Sequence, residues 1–334
     1  MRKHLTKYTT NLLLLFLSVS FSLIIGEVLL RRIFKPVNYL KPYLIRDDIL
    51  GHKIKPNSAG HDSLGYRNRI VPNRADIVAI GDSMTYGVSA TADNSWPALL
   101  QKYTGKVVYN LSLGGYSPVQ YYYLLSNNAL KLNPSIIITG FYYGNDLFEA
   151  KNMIDKSSYW KNLIYNNTFE KNIPIENMSD VATENSTIEE DESRKFMGNM
   201  RNLLSHYSVL YRIITFNLGD FARFLEIKFY YGNRHNISIL DINKPKIHTG
   251  FSPISTFKAE NLEDINVQEG INISLKLFID MNSICKSNGI HFIVLLIPTK
   301  ENVYSKYIKE NKSLKNSDII DNILNYESII NSFF

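Results

Sequence analysis

Three short apolar runs separated by helix-like segments constrain this chain more than any other feature of it. The first, Ile77 to Ile80, is bounded by Asp76 and Gly81; "KVVYN" and "SIIITGFYY" follow it. Runs without alternation of polar and apolar residues suit strands buried on both faces of a parallel sheet. Between them lie "SWPALLQKYTG", with Pro97 near its start and Gly105 past its end, and "SPVQYYYLLSNNALKLN". Proline early and glycine late are the boundary signals of a helix. Strand and helix alternating from Ala75 to Tyr143 predict right-handed βαβ units and an α/β, doubly wound parallel sheet. With 45% apolar residues, 334 residues are enough to build such a core. Ligands in sheets of this kind bind at the carboxyl ends of the strands.

The N-terminus adds a second constraint. Arg2, Lys3 and Lys7 precede an apolar run that opens at Leu12, is interrupted by Glu27 and closes at Arg31 and Arg32. Counted to Leu30 it is about 19 residues, near the ~20 that cross a bilayer. No Ala-x-Ala-like cleavage site follows, so an uncleaved transmembrane signal-anchor is expected rather than a signal peptide. Positions 12 to 17 are apolar all round, which argues against a buried amphipathic helix. Basic residues flank both ends and set the orientation weakly. The expected arrangement is a single-pass protein with a cytoplasmic tail and an extracytoplasmic domain.

Three regions follow from composition: residues 1–35 as tail and anchor, 36–74 as an extended connector rich in Pro, Gly and charge, and 75–334 as the folded domain. From about 150 to 266 the pattern gives way to a polar and helical insertion containing "TIEEDES", a solvated acidic loop, and "RNLLSHYSVLYRIITFNLGDFARFLEIKF", whose apolar residues at helical spacing with Arg201, Arg212, Arg223 and Lys228 among them suit a helix that covers the core or forms a lid, or, as the alternative, one that lies on a membrane. A helix over Val267 to Lys286, the strand "GIHFIVLLIP" and the helix "SDIIDNILNYESIINSFF" resume the α/β pattern. The 37 Lys and Arg against 31 Asp and Glu form no basic stripe, which excludes a nucleic-acid partner. One cysteine, Cys285, excludes an internal disulfide framework and any cysteine-based zinc site. No cofactor and no metal are expected. A nucleotide site is disfavoured because the turn after the first strand lacks both Gly-x-Gly-x-x-Gly and a phosphate-loop lysine.

The three strand ends carry the chemistry. They read Gly81-Asp82-Ser83, "NLSLGGYSP" and "YYGNDL". A serine at a strand-to-helix turn can present its hydroxyl and its own N–H over the rim. A glycine in the second loop allows a backbone N–H close approach, and an asparagine in the third can donate a side-chain N–H. The plainer reading is that Asp82 or Ser83 caps the next helix and that the glycines and Asn145-Asp146 serve turns and caps.

In that order, "GDSMT", "NLSLGGYSP" and "YGND" resemble the first three sequence blocks of the SGNH (GDSL-like) hydrolases, a family of esterases, lipases and carbohydrate acetylesterases. The resemblance runs from about Asp76 to Asp146. It implies a three-layer, flavodoxin-like sheet, with Ser83 as nucleophile and oxyanion N–H donor. Gly115 would be the second backbone donor, with Gly114 as the alternative, and Asn145 the side-chain donor. Tyr143 stands where the family has a glycine. An acylated small molecule or glycan is the implied substrate, with hydrolysis or acyl transfer as the outcome. The family's fourth block, an Asp-x-x-His supplying the general base, has no match here. Of the seven histidines, His291 begins a strand and should face the opposite rim, about 20 Å away at ~3.3 Å per residue. His61-Asp62-Ser63 cannot form a relay, because adjacent residues on an extended chain point in alternate directions. Lys300, at a strand end, is the remaining candidate base. The chain is therefore expected to be C-terminally incomplete. The alternative is an inactive surface binding module or an O-acetyltransferase accessory protein. Oligomeric state is left open.

Overall fold

The computed structural model describes residues 2–88, 90–165, 192–215, 218, 238–311, 314 and 316–334. "TIEEDES", apart from its last residues, and the stretch 219–229 of the expected lid lie outside the described residues. The chain divides into two units: residues 1–43, 57–60 and 174–232, and residues 44–56, 61–173 and 233–334.

The second unit is built on a four-stranded parallel sheet of β3 (Ile77–Gly81), β4 (Val108–Ser112), β5 (Ile136–Tyr142) and β8 (His291–Ile297), in the order β4-β3-β5-β8. The chain leaves β3 for the edge at β4 and returns on the other side of β3 as β5. Such a reversal opens a crevice at the carboxyl ends of the strands. β3 is buried at every residue, which agrees with its unbroken apolar run. β8 forms where "GIHFIVLLIP" predicts a strand, and its exposure alternates, with Ile293 and Leu295 outward, because it is a sheet edge with one face uncovered among the described residues.

The helices follow their punctuation. α2 (Ser83–Tyr86) is one turn closed by Gly87 at φ 80°. α3 (Trp96–Thr104) takes Pro97 at its start and ends on Gly105 in the left-handed region, as expected from Pro97 and Gly105. α4 (Pro118–Leu124) opens with a capping box between Ser117 and Gln120, then widens into a π turn at Leu125–Ala129 rather than running straight on. α5 (Asp146–Lys156) and α6 (Ser158–Tyr165) follow β5. α8 (Pro253–Glu260), α9 (Ile265–Ser287) and α10 (Ser317–Asn331) also belong to this unit, whereas α7 (Glu192–Tyr207) belongs to the first. The core gathers Ile80, Leu111, Ile137 and Phe141 from the sheet with Tyr121, Leu147, Trp160, Leu277 and Met281 from the helices.

Two hairpins were not legible in the sequence. β1 (Leu44–Asp47) and β2 (Gly51–Ile54) pair antiparallel within the stretch expected as an extended connector. β6 (Ser238–Ile242) and β7 (Ile247–Phe251) pair within the expected insertion. Each strand is too short to show period-2 alternation above chance. The rest of the connector is latched to the sheet by side chains. The Asn68 amide donates to Asn110 O (2.9 Å) and accepts from Asn110 N (3.0 Å), like one more step of a β-ladder at the edge of β4. The buried Asp62 carboxylate accepts from Tyr109 Oη at 2.7 Å and Asn68 Nδ2 at 3.0 Å. His61 Nε2 lies 2.9 Å from Tyr86 Oη. His61 and Asp62 are thus structural ties.

Candidate functional site

The site begins with a tight turn. A methyl group on Gly81 would stand 2.1 Å from Thr85 Oγ1 and 3.0 Å from Gly140 O, so the end of β3 tolerates no side chain. Gly81→Ala should lower stability by about 2 kcal/mol or more through overpacking at a site whose neighbours include backbone. Urea unfolding would measure it, and a loss below ~0.5 kcal/mol would contradict this account of the turn.

Asp82 is the cap of α2. Its Oδ1 accepts from Met84 N at 2.8 Å, and its Oδ2 accepts from Ser83 Oγ at 3.1 Å. Of the two residues that could have capped this helix, Asp82 does so, and Ser83 is left half-buried at the first helical position with its hydroxyl uncommitted to the helix. Burial pushes the Asp82 carboxyl above the usual carboxylate range, against the pull of the Met84 and Ser83 donors.

The loop after β4 reaches the same point. Leu113 N donates to Gly81 O at 3.2 Å, and the next residue, Gly114, faces Ser83: a methyl group there would stand 3.4 Å from Ser83 Cβ. Gly115 has φ 81°, and a methyl group on it would point at His52, 3.4 Å from Cε1. Of the two glycines, Gly114 therefore lies against the serine and Gly115 makes the left-handed turn beside it. His52 Nε2 is 2.9 Å from Gly114 O, and Tyr116 Oη donates to His52 O at 2.9 Å. Sequence reasoning passed over His52, which arrives on β2. Gly51, at φ 80°, opens β2 and so places His52 beside the loop after β4.

The loop after β5 brings Asn145 and Asp146. Asn145 precedes α5 without capping it, and its Oδ1 is buried with no hydrogen-bond partner. Asp146 is fully buried; its Oδ2 accepts from Tyr142 N at 2.9 Å and lies 2.9 Å from Tyr121 Oη, which is also 3.3 Å from Tyr116 O. One tyrosine hydroxyl thus ties the second and third loops together. Burial, and then repulsion from Asp82, hold the Asp146 carboxyl well above the ordinary range. Nothing in "YYY" distinguishes Tyr121 from its neighbours, because the tie depends on a non-local partner.

A buried acidic group stands at the ends of β5 and β8. Glu327 Oε1 accepts from Thr299 N at 2.9 Å, and the Thr299 hydroxyl and the Asn302 amide also donate to this carboxylate. Glu301 Oε1 accepts from Thr256 Oγ1 at 3.2 Å. Glu260 is fully buried with neither carboxyl oxygen bonded. Burial, then repulsion from Glu327 and Glu301, pushes it up to about 9. Tyr142 is held above the ordinary phenol range by its burial and then by Glu301, Glu260, Asp82 and Glu327. Among the described residues no three of His, Cys, Asp and Glu are placed to hold a metal ion, these glutamates included.

The other candidate bases lie elsewhere. His291 pairs with Ile136 at the start of β5, whereas Gly81 at the site pairs with Gly140. Lys300 Nζ donates to Gly250 O at 3.1 Å on the β6–β7 hairpin. Among the described residues, no histidine hydrogen-bonds Ser83 Oγ, whose partner is Asp82.

No family model and no curated protein matches this sequence. Among solved structures, a GDSL-like lipase from Bacteroides thetaiotaomicron is similar at 12% identity, covering 77% of this chain and 88% of that one, with a TM-score of 0.22. Similarity at that level carries no residue role across. What the structure itself establishes is an α/β unit with a four-stranded parallel sheet whose strand ends bring a serine, two glycines and an asparagine-bearing loop to one rim, in a chain with one N-terminal helix long and apolar enough to cross a membrane.

Proposed function

We propose that this chain is a membrane-anchored serine ester hydrolase of the three-layer SGNH type, acting through an acyl-enzyme on Ser83. The observation that carries the reading is the approach of Gly114 to Ser83 at the end of a fully buried strand, with Asp82 doing the capping. In the proposed reaction Ser83 Oγ bonds to the acyl carbonyl carbon, the ester C–O bond breaks, and the proton that leaves the serine hydroxyl ends on the departing alcohol. The N–H groups of Ser83 and Gly115 and the amide of Asn145 would hold the oxyanion. Water then releases the acid, or a sugar hydroxyl takes the acyl group; the proposed substrates are acylated cell-surface glycans, the class that the SGNH resemblance implies.

The full chain in detergent should react with a fluorophosphonate probe, and the labelled peptide should be the one holding Ser83. A protein whose intact mass is unchanged after prolonged exposure would overturn the nucleophile assignment. One observation favours a second reading, an inactive module that binds acylated glycan or a partner protein: Ser83 Oγ donates to the Asp82 carboxyl, and among the described residues no imidazole accepts from it.

A further inference from the structure

The first unit contains a helix whose outward face is apolar. α1 (Arg2–Ile33) is exposed over most of Tyr8–Ile33, with mean hydropathy 2.4. Starting from Tyr8 at ~1.5 Å per residue, a ~30 Å hydrocarbon core is crossed by about residue 28. Glu27 and Arg31 then fall at one headgroup level.

Glu27 is not idle there. Its carboxylate accepts from Val209 N, Leu210 N and Ser208 Oγ, each at 2.9 Å, and from Arg31 Nε at 2.6 Å. The Arg31 guanidinium also donates to Tyr207 O. A methyl group on Gly26 would touch Leu210 Cδ2 at 3.7 Å. These contacts explain a carboxylate inside an apolar run and fix the end of α7 (Glu192–Tyr207) to the exit of the spanning helix.

α7 has two unlike faces. On one, the buried Ser205 offers its carbonyl to Lys41 N at 3.0 Å, His206 Nδ1 lies 2.9 Å from Lys41 O, and the His206 ring is 4.6 Å from that of Tyr43. On the other, Met200, Leu203, Leu204 and Tyr207 are 45%, 57%, 38% and 49% exposed. At 3.6 residues per turn these four span an arc of roughly 100°, the width of a membrane-facing stripe. Arg32 and Arg201 are also exposed.

We infer that α7 is an interfacial helix lying on the bilayer from which α1 emerges, its Met200, Leu203, Leu204 and Tyr207 face seated in the acyl boundary. The occupant is a lipid surface because the stripe ends at Tyr207, whose carbonyl accepts from Arg31 where α1 reaches the headgroup level. Arg32 and Arg201 supply charge that suits anionic headgroups. The inference rests on the proposed membrane anchor.

The test uses the full chain in nanodiscs of phosphatidylcholine and phosphatidylglycerol, in a Cys285→Ala background that removes the buried native thiol. Single cysteines carry a nitrobenzoxadiazole label at Leu203, Tyr207, Asn202 on the polar side of α7, and Leu17 within α1. Doxyl-labelled lipid should quench the labels at Leu203, Tyr207 and Leu17 at least 2-fold and leave that at Asn202 nearly unchanged. Quenching at Leu17 without quenching at Leu203 and Tyr207 overturns the inference and leaves the anchor standing. No quenching at Leu17 fells the anchor reading and the inference together. Cross-linking of Leu203→Cys between chains, without lipid quenching, would assign the face to a second copy and also overturn it. Equal quenching at Asn202 and Leu203 would mean that α7 is immersed rather than seated by one face, a further refutation.

Discussion

Ser83→Ala is expected to lower kcat/KM for p-nitrophenyl acetate by ~10³-fold or more, because the proposed acyl-enzyme would lose its attachment point. The fold should survive the change. The cap of α2 is Asp82, whose bond from Met84 N at 2.8 Å does not involve the Ser83 hydroxyl, and the Cβ that meets Gly114 is retained. The variant's urea midpoint should accordingly lie close to the parent's, so that lost activity cannot be blamed on unfolding. Asn145→Ala is the graded companion, with a loss of about 10²-fold for one oxyanion donor. Equal rates for the parent and Ser83→Ala would remove the nucleophile and favour the binding module.

Glu260→Gln is expected to stabilise the protein near neutrality and to do nothing in acid. The carboxyl is fully buried with neither oxygen bonded, and its pKa rises from an ordinary 4.5 to about 9. The folded state therefore holds the proton more tightly than the unfolded chain. The contribution of this group to stability is complete below 4.5 and is lost progressively as pH climbs towards about 9. At pH 7 the loss is about 3 kcal/mol, from roughly 2.5 pH units at ~1.4 kcal/mol each. Glutamine has the shape of the protonated acid and no proton to lose. Urea unfolding of the two proteins should coincide at pH 4 and separate by up to that amount at pH 7, with the Glu260→Gln variant the more stable. Parallel curves across this range would show that Glu260 is paired or solvated.

Local pattern and non-local partners divided the information unevenly. The strands β3, β4 and β5 were legible because each is a run of apolar residues long enough to be read without its neighbours, and α3 because Pro97 and Gly105 punctuate it. β4 nevertheless begins at Val108, two residues later than "KVVYN" suggests, since a strand starts where a partner pairs with it and not where apolar residues begin. The four-residue strands of the β1–β2 hairpin, and the five-residue strands of β6–β7, carry too little periodicity to stand out.

The candidate site divides in the same way. That a serine, a glycine pair and an asparagine stand at successive strand ends could be read locally, because small and polar residues there are turn necessities, and the family resemblance proposed roles for Ser83, Gly115 and Asn145. Which of Asp82 and Ser83 caps α2, which of Gly114 and Gly115 faces the serine, and that His52 and Tyr121 hold the loops could not be named, because each answer is a distance between residues remote in sequence. Glu27 makes the same point in the first unit: in sequence it is a blemish in an apolar run, and in three dimensions it accepts three hydrogen bonds from residues 208 to 210. The sequence by itself determined the α/β class, the strand ends and the apolar N-terminal helix, since apolar runs and turn residues act within a few positions of themselves. The tertiary structure alone decided the partner of each buried polar group, since a carboxylate, an imidazole or a backbone N–H removed from water must find its hydrogen bond wherever the fold brings one.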